Sequence, residues 1–349
     1  MVNYTNIVKY YLKELECQSE LFKPGIFWEK ALNEIAISYY RLGHENFRND
    51  VLNLAFFVPT YGVPGNGFDK QMLENNVFNK LENCNEKQKS YIKKSFNGHF
   101  HALSDYRTFR ASNSNVDKFN ILEFSESIDG NPSEHFEFEG RYFSRSSLNY
   151  LLGLSFLKKY FPDFIPQTVL EIGGGFGTLG EILGKSKLKN FKYIDLDLPP
   201  IFLIAENYLK NTFKNNNLRF FDHYQNKEEK ININELTDFT FLPNWKIENI
   251  EGKIDLFVNF ISFQEMEPAI VKNYIKKIQK LEPYLVLLRN MREGKQLKRE
   301  GQVGVKEPIF TKNYLEYFSR YDLVASNVIP FGFSTVDGFN SELLLLKRK

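Results

Sequence analysis

The chain has 349 residues, 42% of them apolar and 25% charged, the balance of a soluble globular protein long enough for two domains. A net charge of +2 argues against a nucleic-acid binder, which would carry a basic stripe. No window approaches the ~20 apolar residues that cross a bilayer. Cys17 and Cys84 are the only cysteines. They stand far apart and in no metal-ligand spacing, so no disulfide framework is expected and a reducing cytoplasm fits. The first twelve residues have no signal-peptide pattern.

In chain order, residues 1–95 read as helical, with apolar spacing of three and four over 8–15 and 28–42. A short apolar run over 50–58 meets a Gly/Pro loop over 61–67. A polar helix is expected over 71–94, and 97–118 has no clear pattern. Ser144 is a candidate N-cap for a helix over 144–160, whose Leu148, Leu151, Leu152 and Phe156 form one apolar face. From Thr168 the pattern alternates. Strand-like runs at 168–172, 191–197, 218–221, 254–260 and 284–288 are separated by helical stretches at 178–186, 199–213, 267–281 and 311–320. This predicts a mostly parallel sheet flanked by helices. Runs at 322–329 and 342–347 read as a closing antiparallel pair. The expected organisation is a helical cap, substrate or oligomerisation domain over 1–140, then an α/β domain over 141–349.

The strand 169–172 runs straight into Gly173-Gly174-Gly175-Phe176-Gly177, and a helix follows. Glycines here allow positive φ and close backbone approach to a ligand. The helix N-terminus beyond offers unpaired N–H groups. The next strand ends in Asp195-Leu196-Asp197, where an acid can accept from both hydroxyls of a ribose. Two cofactor classes compete. Gly175, Gly177 and Gly180 also satisfy a dinucleotide fingerprint, so a nicotinamide-dependent oxidoreductase is one reading. Glu171, just before the glycines, suits a cationic sulfonium with an ammonium group better than a pyrophosphate. A non-catalytic scaffold with the same fold is a further alternative.

These residues resemble class I S-adenosyl-L-methionine-dependent methyltransferases. The finer resemblance is to sugar O-methyltransferases of bacterial surface-polysaccharide (capsule) clusters. It rests on Leu170 to Gly177, on Asp197-Leu198-Pro199-Pro200, on Asp255 to Asn259 with Ser262-Phe263-Gln264-Glu265-Met266, and on Arg289-Asn290. It covers about residues 140–349. It implies a Rossmann-like α/β fold with an antiparallel last strand, S-adenosyl-L-methionine as cofactor, S-adenosyl-L-homocysteine as product, and a sugar or sugar-nucleotide acceptor. Gly173, Gly174, Gly175 and Gly177 would then pack on the methionine part, Glu171 would face its amino group, and Asp197 or Asp195 would hold the ribose. Asp222, or the segment 241–244, would meet the adenine. Asn259 is a cofactor contact in this reading.

Methyl transfer to a hydroxyl needs alignment and proton removal, and ligands of open α/β sheets lie beyond the carboxyl ends of the strands. Glu265 and Gln264, after the fourth strand, are therefore the first catalytic candidates. Ser262 to Glu265 equally fits a helix capping box. Arg289, Asn290 and Arg145 are candidates for gripping a phosphorylated acceptor. His101, beside His99, is a further candidate base. A metal there lacks a third ligand at recognisable spacing, so no metal is assigned. Residues 295–299 read as basic surface or a substrate lid.

Overall fold

The computed structural model describes residues 4–29, 31–49, 70–113, 120–222, 230–300, 304–335 and 338–349. The run 50–58 and the Gly/Pro loop 61–67 lie outside the described residues.

The N-terminal part contains α1 (Tyr4–Glu16), α2 (Ile26–Glu29), α3 (Ala31–Leu42), α4 (Lys70–Asn76), α5 (Glu86–Phe96) and α6 (His99–Ser112). The single polar helix expected over 71–94 is two, because Asn85 and Gln88 form a reciprocal capping box that starts α5 afresh. Segment 97–118, unplaced from sequence, supplies α6. A small hairpin, Phe136–Phe138 with Arg141–Phe143, follows. Next come α7 (Arg145–Tyr160), α8 (Thr178–Lys185), α9 (Ile201–Thr212), α10 (Pro268–Ile278) and α11 (Thr311–Tyr317).

The main sheet is formed by β1 (Thr168–Ile172), β2 (Lys192–Asp197), β3 (Phe239–Pro243), β4 (Leu256–Phe260), β5 (Leu285–Met291), β6 (Tyr321–Asn327) and β7 (Asn340–Arg348). Its order is β3-β2-β1-β4-β5-β7-β6. The first five strands are mutually parallel. The last, β7, inserts antiparallel between β5 and β6. Strands β1, β3, β4 and β5 are buried at every position, as expected of a sheet covered on both faces. The protein is therefore a Rossmann-like α/β fold preceded by a mainly helical part. The run 218–221, expected as the third strand, is not one: Phe239–Pro243 takes that place, and Phe220 only bridges to Phe239.

Helix α7 prepares the site. Ser144 caps it, accepting from Ser147 N–H while its own N–H donates to the Ser147 hydroxyl. Sequence predicts one apolar face, yet α7 is buried almost all round, because α6 packs on it from one side and β5 from another. Its cap is fixed by Glu126, which accepts from the Ser144 hydroxyl (3.0 Å) and the Ser147 hydroxyl (2.8 Å) and pairs with Arg48 at 2.5 Å. Burial alone would raise the Glu126 carboxyl; Arg48 and His135 outweigh it and hold it down at about 2.

The N-terminal part does not stand off from the sheet domain. One continuous core runs through both. Tyr11 packs edge-on to Phe202 at 5.1 Å and Phe22 to Tyr274 at 5.9 Å, and Asn207 donates to the Tyr39 hydroxyl at 2.6 Å.

Candidate active site

The carboxyl ends of β1, β2, β3 and β4 open onto one cleft of about 1200 Å³, counted to its open mouth. Its floor is Gly173, Gly174 and Gly175 after β1, beside Asp197 and Leu198 after β2. Asn244 closes the β3 side. Phe260, Ile261 and Glu265 close the β4 side, and Ser146, Asn149 and Tyr150 of α7 form a wall. A roof comes from Lys23, Phe27 and Trp28.

The glycine turn is required by geometry. Gly173 has φ +77°, and a Cβ on Gly174 would sit 2.7 Å from both Asp195 oxygens. Gly177 does not line the cleft. It precedes α8, where a Cβ would press on Leu209 at 3.2 Å, so its role is helix packing.

The acids near this turn have distinct positions. Asp197 lines the cleft and accepts from the Gly175 N–H (3.2 Å) and the Leu198 N–H (2.7 Å). Burial pushes its carboxyl up to about 7, against the pull of those two N–H groups. Asp195 lies beneath the turn, fully buried, and accepts from Gly174 N–H at 3.2 Å. Burial, then the neighbouring Asp197 and Glu171, raise it well above the usual range. Of the two ribose candidates, Asp197 lines the cleft and Asp195 does not. Glu171, expected to face the cofactor's amino group, is likewise outside the cleft lining. It is fully buried and takes the hydroxyls of Tyr150 (2.6 Å) and Tyr193 (2.5 Å) on its two oxygens, and Tyr150, not Glu171, reaches the cleft wall. Burial raises Glu171 to about 7 while the two hydroxyls oppose the rise.

At the end of β4, Asn259 is a fully buried latch. Its amide donates to Ile172 O (2.9 Å) and Ser262 Oγ (2.6 Å), and its oxygen accepts from Phe263 N–H (3.2 Å). Asn259, expected to contact the cofactor, ties β4 to β1 and is not part of the cleft lining. Ser262 Oγ donates to Ile172 O at 3.0 Å, so the expected capping box does not form. The intervening Ile261 has φ +75° and ψ −38°. That conformation is strained for a β-branched residue, at a cost of about 1–3 kcal/mol, and such strain clusters at functional sites.

Glu265 lines the cleft and pairs with Lys295 at 2.8 Å. Lys295 in turn lies 4.3 Å from the Phe27 ring centroid. Gln264 faces elsewhere: its oxygen accepts from Met291 N–H at 2.7 Å, its N–H donates to Asn290 Oδ1 at 3.1 Å, and it is 1% exposed. Asn290 is thereby a second latch. Arg289 is fully buried and donates to Asn149 Oδ1 and the Phe331 carbonyl. Arg145 is buried and paired with Asp105 at 3.4 Å. His101 is exposed on α6, and Asp222 is exposed beyond α9. None of Gln264, Asn290, Arg289, Arg145, His101 or Asp222 lines the cleft. Gln264 and His101, expected in catalysis, Arg289, Asn290 and Arg145, expected at the substrate, and Asp222, expected at the adenine, are therefore not brought together by this cleft. Burial and Arg145 lower the His101 imidazole, and Asp105 opposes.

Asn149, Tyr150, Lys23, Phe27 and Trp28 carry no sequence signal for a site, and Lys295 lies in the segment that reads as basic surface or a substrate lid. Two residues of the cleft wall each carry a buried polar atom with no hydrogen-bond partner among the described residues, Asn149 Nδ2 and Asn244 Oδ1. Asn244 Nδ2 donates to Phe22 O at 2.7 Å and meets the Tyr274 hydroxyl at 2.6 Å, which fixes its amide and leaves Oδ1 unused. Among the described residues no three metal-ligating side chains come together, and no helix is long and apolar enough to cross a membrane.

No family model matches the chain, and no curated protein matches it. Solved structures similar to it include the magnesium protoporphyrin IX methyltransferase of Synechocystis PCC 6803 with bound SAH (10% identical over 74% of this chain and 99% of that one, TM-score 0.40). The PH0226 protein from Pyrococcus horikoshii OT3 is 14% identical over 59% of this chain and 92% of that one, with a TM-score of 0.38. Mitomycin 7-O-methyltransferase is 12% identical over 93% of this chain and 69% of that one, also at 0.38. The fold assignment rests on the strand order and orientations of the chain itself.

Proposed function

We propose that the chain is an S-adenosyl-L-methionine-dependent methyltransferase acting on a hydroxyl of a sugar. The observation that carries the first part is β7, antiparallel between β5 and β6, above a glycine turn that adjoins Asp197. A dinucleotide-binding sheet of the usual kind continues in parallel in the order 3-2-1-4-5-6. The cleft residues fit the cofactor. Asp197, on the floor of the cleft, would accept from ribose hydroxyls. The glycine turn leaves room for the ligand backbone. When bound, the sulfonium supplies an activated methyl and its own leaving group.

The chain's remaining task is to bind the acceptor and take its proton. Glu265 is the carboxylate of the cleft placed for this, and Lys295 holds it in position. Phe27 and Trp28 offer apolar faces to a sugar ring, and a hydroxyl can donate to Glu265 while Lys295 donates to a neighbouring oxygen. The sugar class draws further support from the resemblance of the segment 262–266 and of Asp197 to Pro200. The test is transfer of labelled methyl to a panel of nucleotide-activated sugars and free glycosides. Transfer that disappears in Glu265→Gln, with cofactor binding intact, supports the reading. Transfer to a protein, lipid or non-sugar phenol in preference to every sugar contradicts it.

A further inference from the structure

Residues 80–101 hold five lysines and two glutamates, net +3, whereas the whole chain is +2. None of them lines the cleft. At their centre is α5, which has no buried residue and packs mainly on α6. Its inner face is apolar: Ile92 and Phe96, four apart, are half-buried, and Phe96 meets Phe78 edge-on at 6.2 Å. Lys87, Tyr91 and Lys94 recur at steps of four and three on the opposite, exposed face. Tyr91 is 63% exposed, and its ring centroid is 5.1 Å from that of Phe100 of α6, itself 37% exposed. The one glutamate of α5, Glu86, is taken by Lys89 at 2.9 Å, and neither Lys87 nor Lys94 has a carboxylate partner among the described residues.

Single exposed apolar residues are ordinary. Here two rings touch, and Tyr91 stands between two cations that no carboxylate neutralises. Charge complementarity asks for an acidic ligand. Lys87 and Lys94 are seven residues apart, ~10 Å along the helix axis. An extended ligand with acidic groups on both sides of a flat unit engages both cations and covers the ring, which a single small anion does not. Sugar rings present flat C–H faces that pack on aromatic rings, and acidic sugars repeat a charge along a chain. A bilayer is a poorer match, because an interfacial helix needs an apolar outer face, and that of α5 offers no aliphatic or Trp side chain. Location agrees. Little more than one turn on from Phe100, Asp105 pairs with Arg145 of α7 at 3.4 Å, and the next residue, Ser146, belongs to the cleft wall.

We propose that the exposed face of α5, with Phe100 of α6, docks an acidic oligosaccharide, the part of the acceptor chain outside the cleft; the proposal rests on the sugar reading above. Lys87 and Lys94 pair with its acidic groups, and Tyr91 with Phe100 packs against a sugar ring between them.

The test is calorimetric titration of the full chain at low salt with an oligogalacturonate, run beside a neutral malto-oligosaccharide of the same length, phosphatidylglycerol vesicles and a single-stranded DNA oligomer. Wild type is expected to bind the oligogalacturonate at least tenfold more tightly than the neutral chain. Lys87→Glu combined with Lys94→Glu is expected to weaken it tenfold or more, and Tyr91→Ala fivefold or more, both with unchanged Tm because these side chains are exposed. No binding by wild type, variants that bind as wild type does, or tighter binding of the vesicles or the DNA overturns the proposal. Labelled-methyl transfer to short neutral glycosides tests the sugar reading separately. Transfer there without docking of the acidic chain overturns the docking face and leaves the sugar reading standing. Docking with no transfer to any sugar overturns the sugar reading, and with it the role of the docked chain as acceptor.

Discussion

Replacing Arg48 with Met removes the cation from a buried pair and leaves its partner in place. Arg48 and Glu126 are 2% and 0% exposed and 2.5 Å apart. Breaking such a pair from one side costs about 3–5 kcal/mol, because the remaining charge is stranded. At roughly 2 °C per kcal/mol for a chain of this size, Tm should fall by roughly 6–10 °C. The pH dependence is the sharper signature. Glu126 is held at about 2 in the folded protein, against about 4.3 when unfolded. A depressed acid gives stability that is full above the unfolded value and is lost as pH falls through the folded one. The unfolded chain is common to both proteins, so the gap follows the folded carboxyl: it should be wide at pH 7 and narrow as pH falls, from the raised value at which burial leaves Glu126 in Arg48→Met down toward pH 2. Because Glu126 also fixes the cap of α7, the variant should loosen the wall that carries Ser146, Asn149 and Tyr150. Thermal unfolding followed by circular dichroism at pH 7, 5, 3.5 and 2.5 measures this. An unchanged Tm at pH 7, or a gap as wide at pH 2.5 as at pH 7, would refute the reasoning.

Three further outcomes follow from the same geometry. Burial holds Asp197 at about 7, and ribose hydroxyls donate best to its ionised form. The Kd for S-adenosylhomocysteine should thus be flat above that value and rise by up to about tenfold per pH unit below it; a flat Kd from pH 5.5 to 8 contradicts this. Gly174→Ala places a Cβ 2.7 Å from the Asp195 carboxyl and should cost about 1–3 kcal/mol in denaturant unfolding, with no change in the far-UV spectrum. Glu265→Gln should lower turnover by about 10²-fold or more, whereas His101→Ala, on the exposed face of α6, should leave it within about twofold, both read by labelled-methyl transfer.

The sheet domain was legible because its signals are local. The strand at 168–172 and the helices starting at 178 and 311 are found where apolar runs and turn residues set them. The glycine turn and Asp197 could be read because only a few residue types serve there. What failed was the assignment of direction to polar side chains. Arg289, Asn290, Gln264 and Asn259 sit at the carboxyl end of the sheet, as read, yet each turns inward to satisfy backbone or amide groups that burial would otherwise leave unpaired. Glu171 is taken by Tyr150 and Tyr193, partners 21 and 22 positions away, and no local spacing announces them. Lys295 falls in a segment that reads as basic surface or a substrate lid, and its partners Glu265 and Phe27 come from remote segments that no local spacing connects to it. The roof of the cleft was missed for the same reason: Trp28 fits an amphipathic helix, and only tertiary packing brings it across the strand ends.

The most direct test of the central claim is calorimetric titration of the wild-type protein with S-adenosylhomocysteine, run beside NADH and repeated with Asp197→Ala. The account predicts micromolar binding of S-adenosylhomocysteine, no binding of NADH, and loss of at least tenfold in the variant. Binding of NADH without S-adenosylhomocysteine would contradict it and make the glycine turn a dinucleotide site.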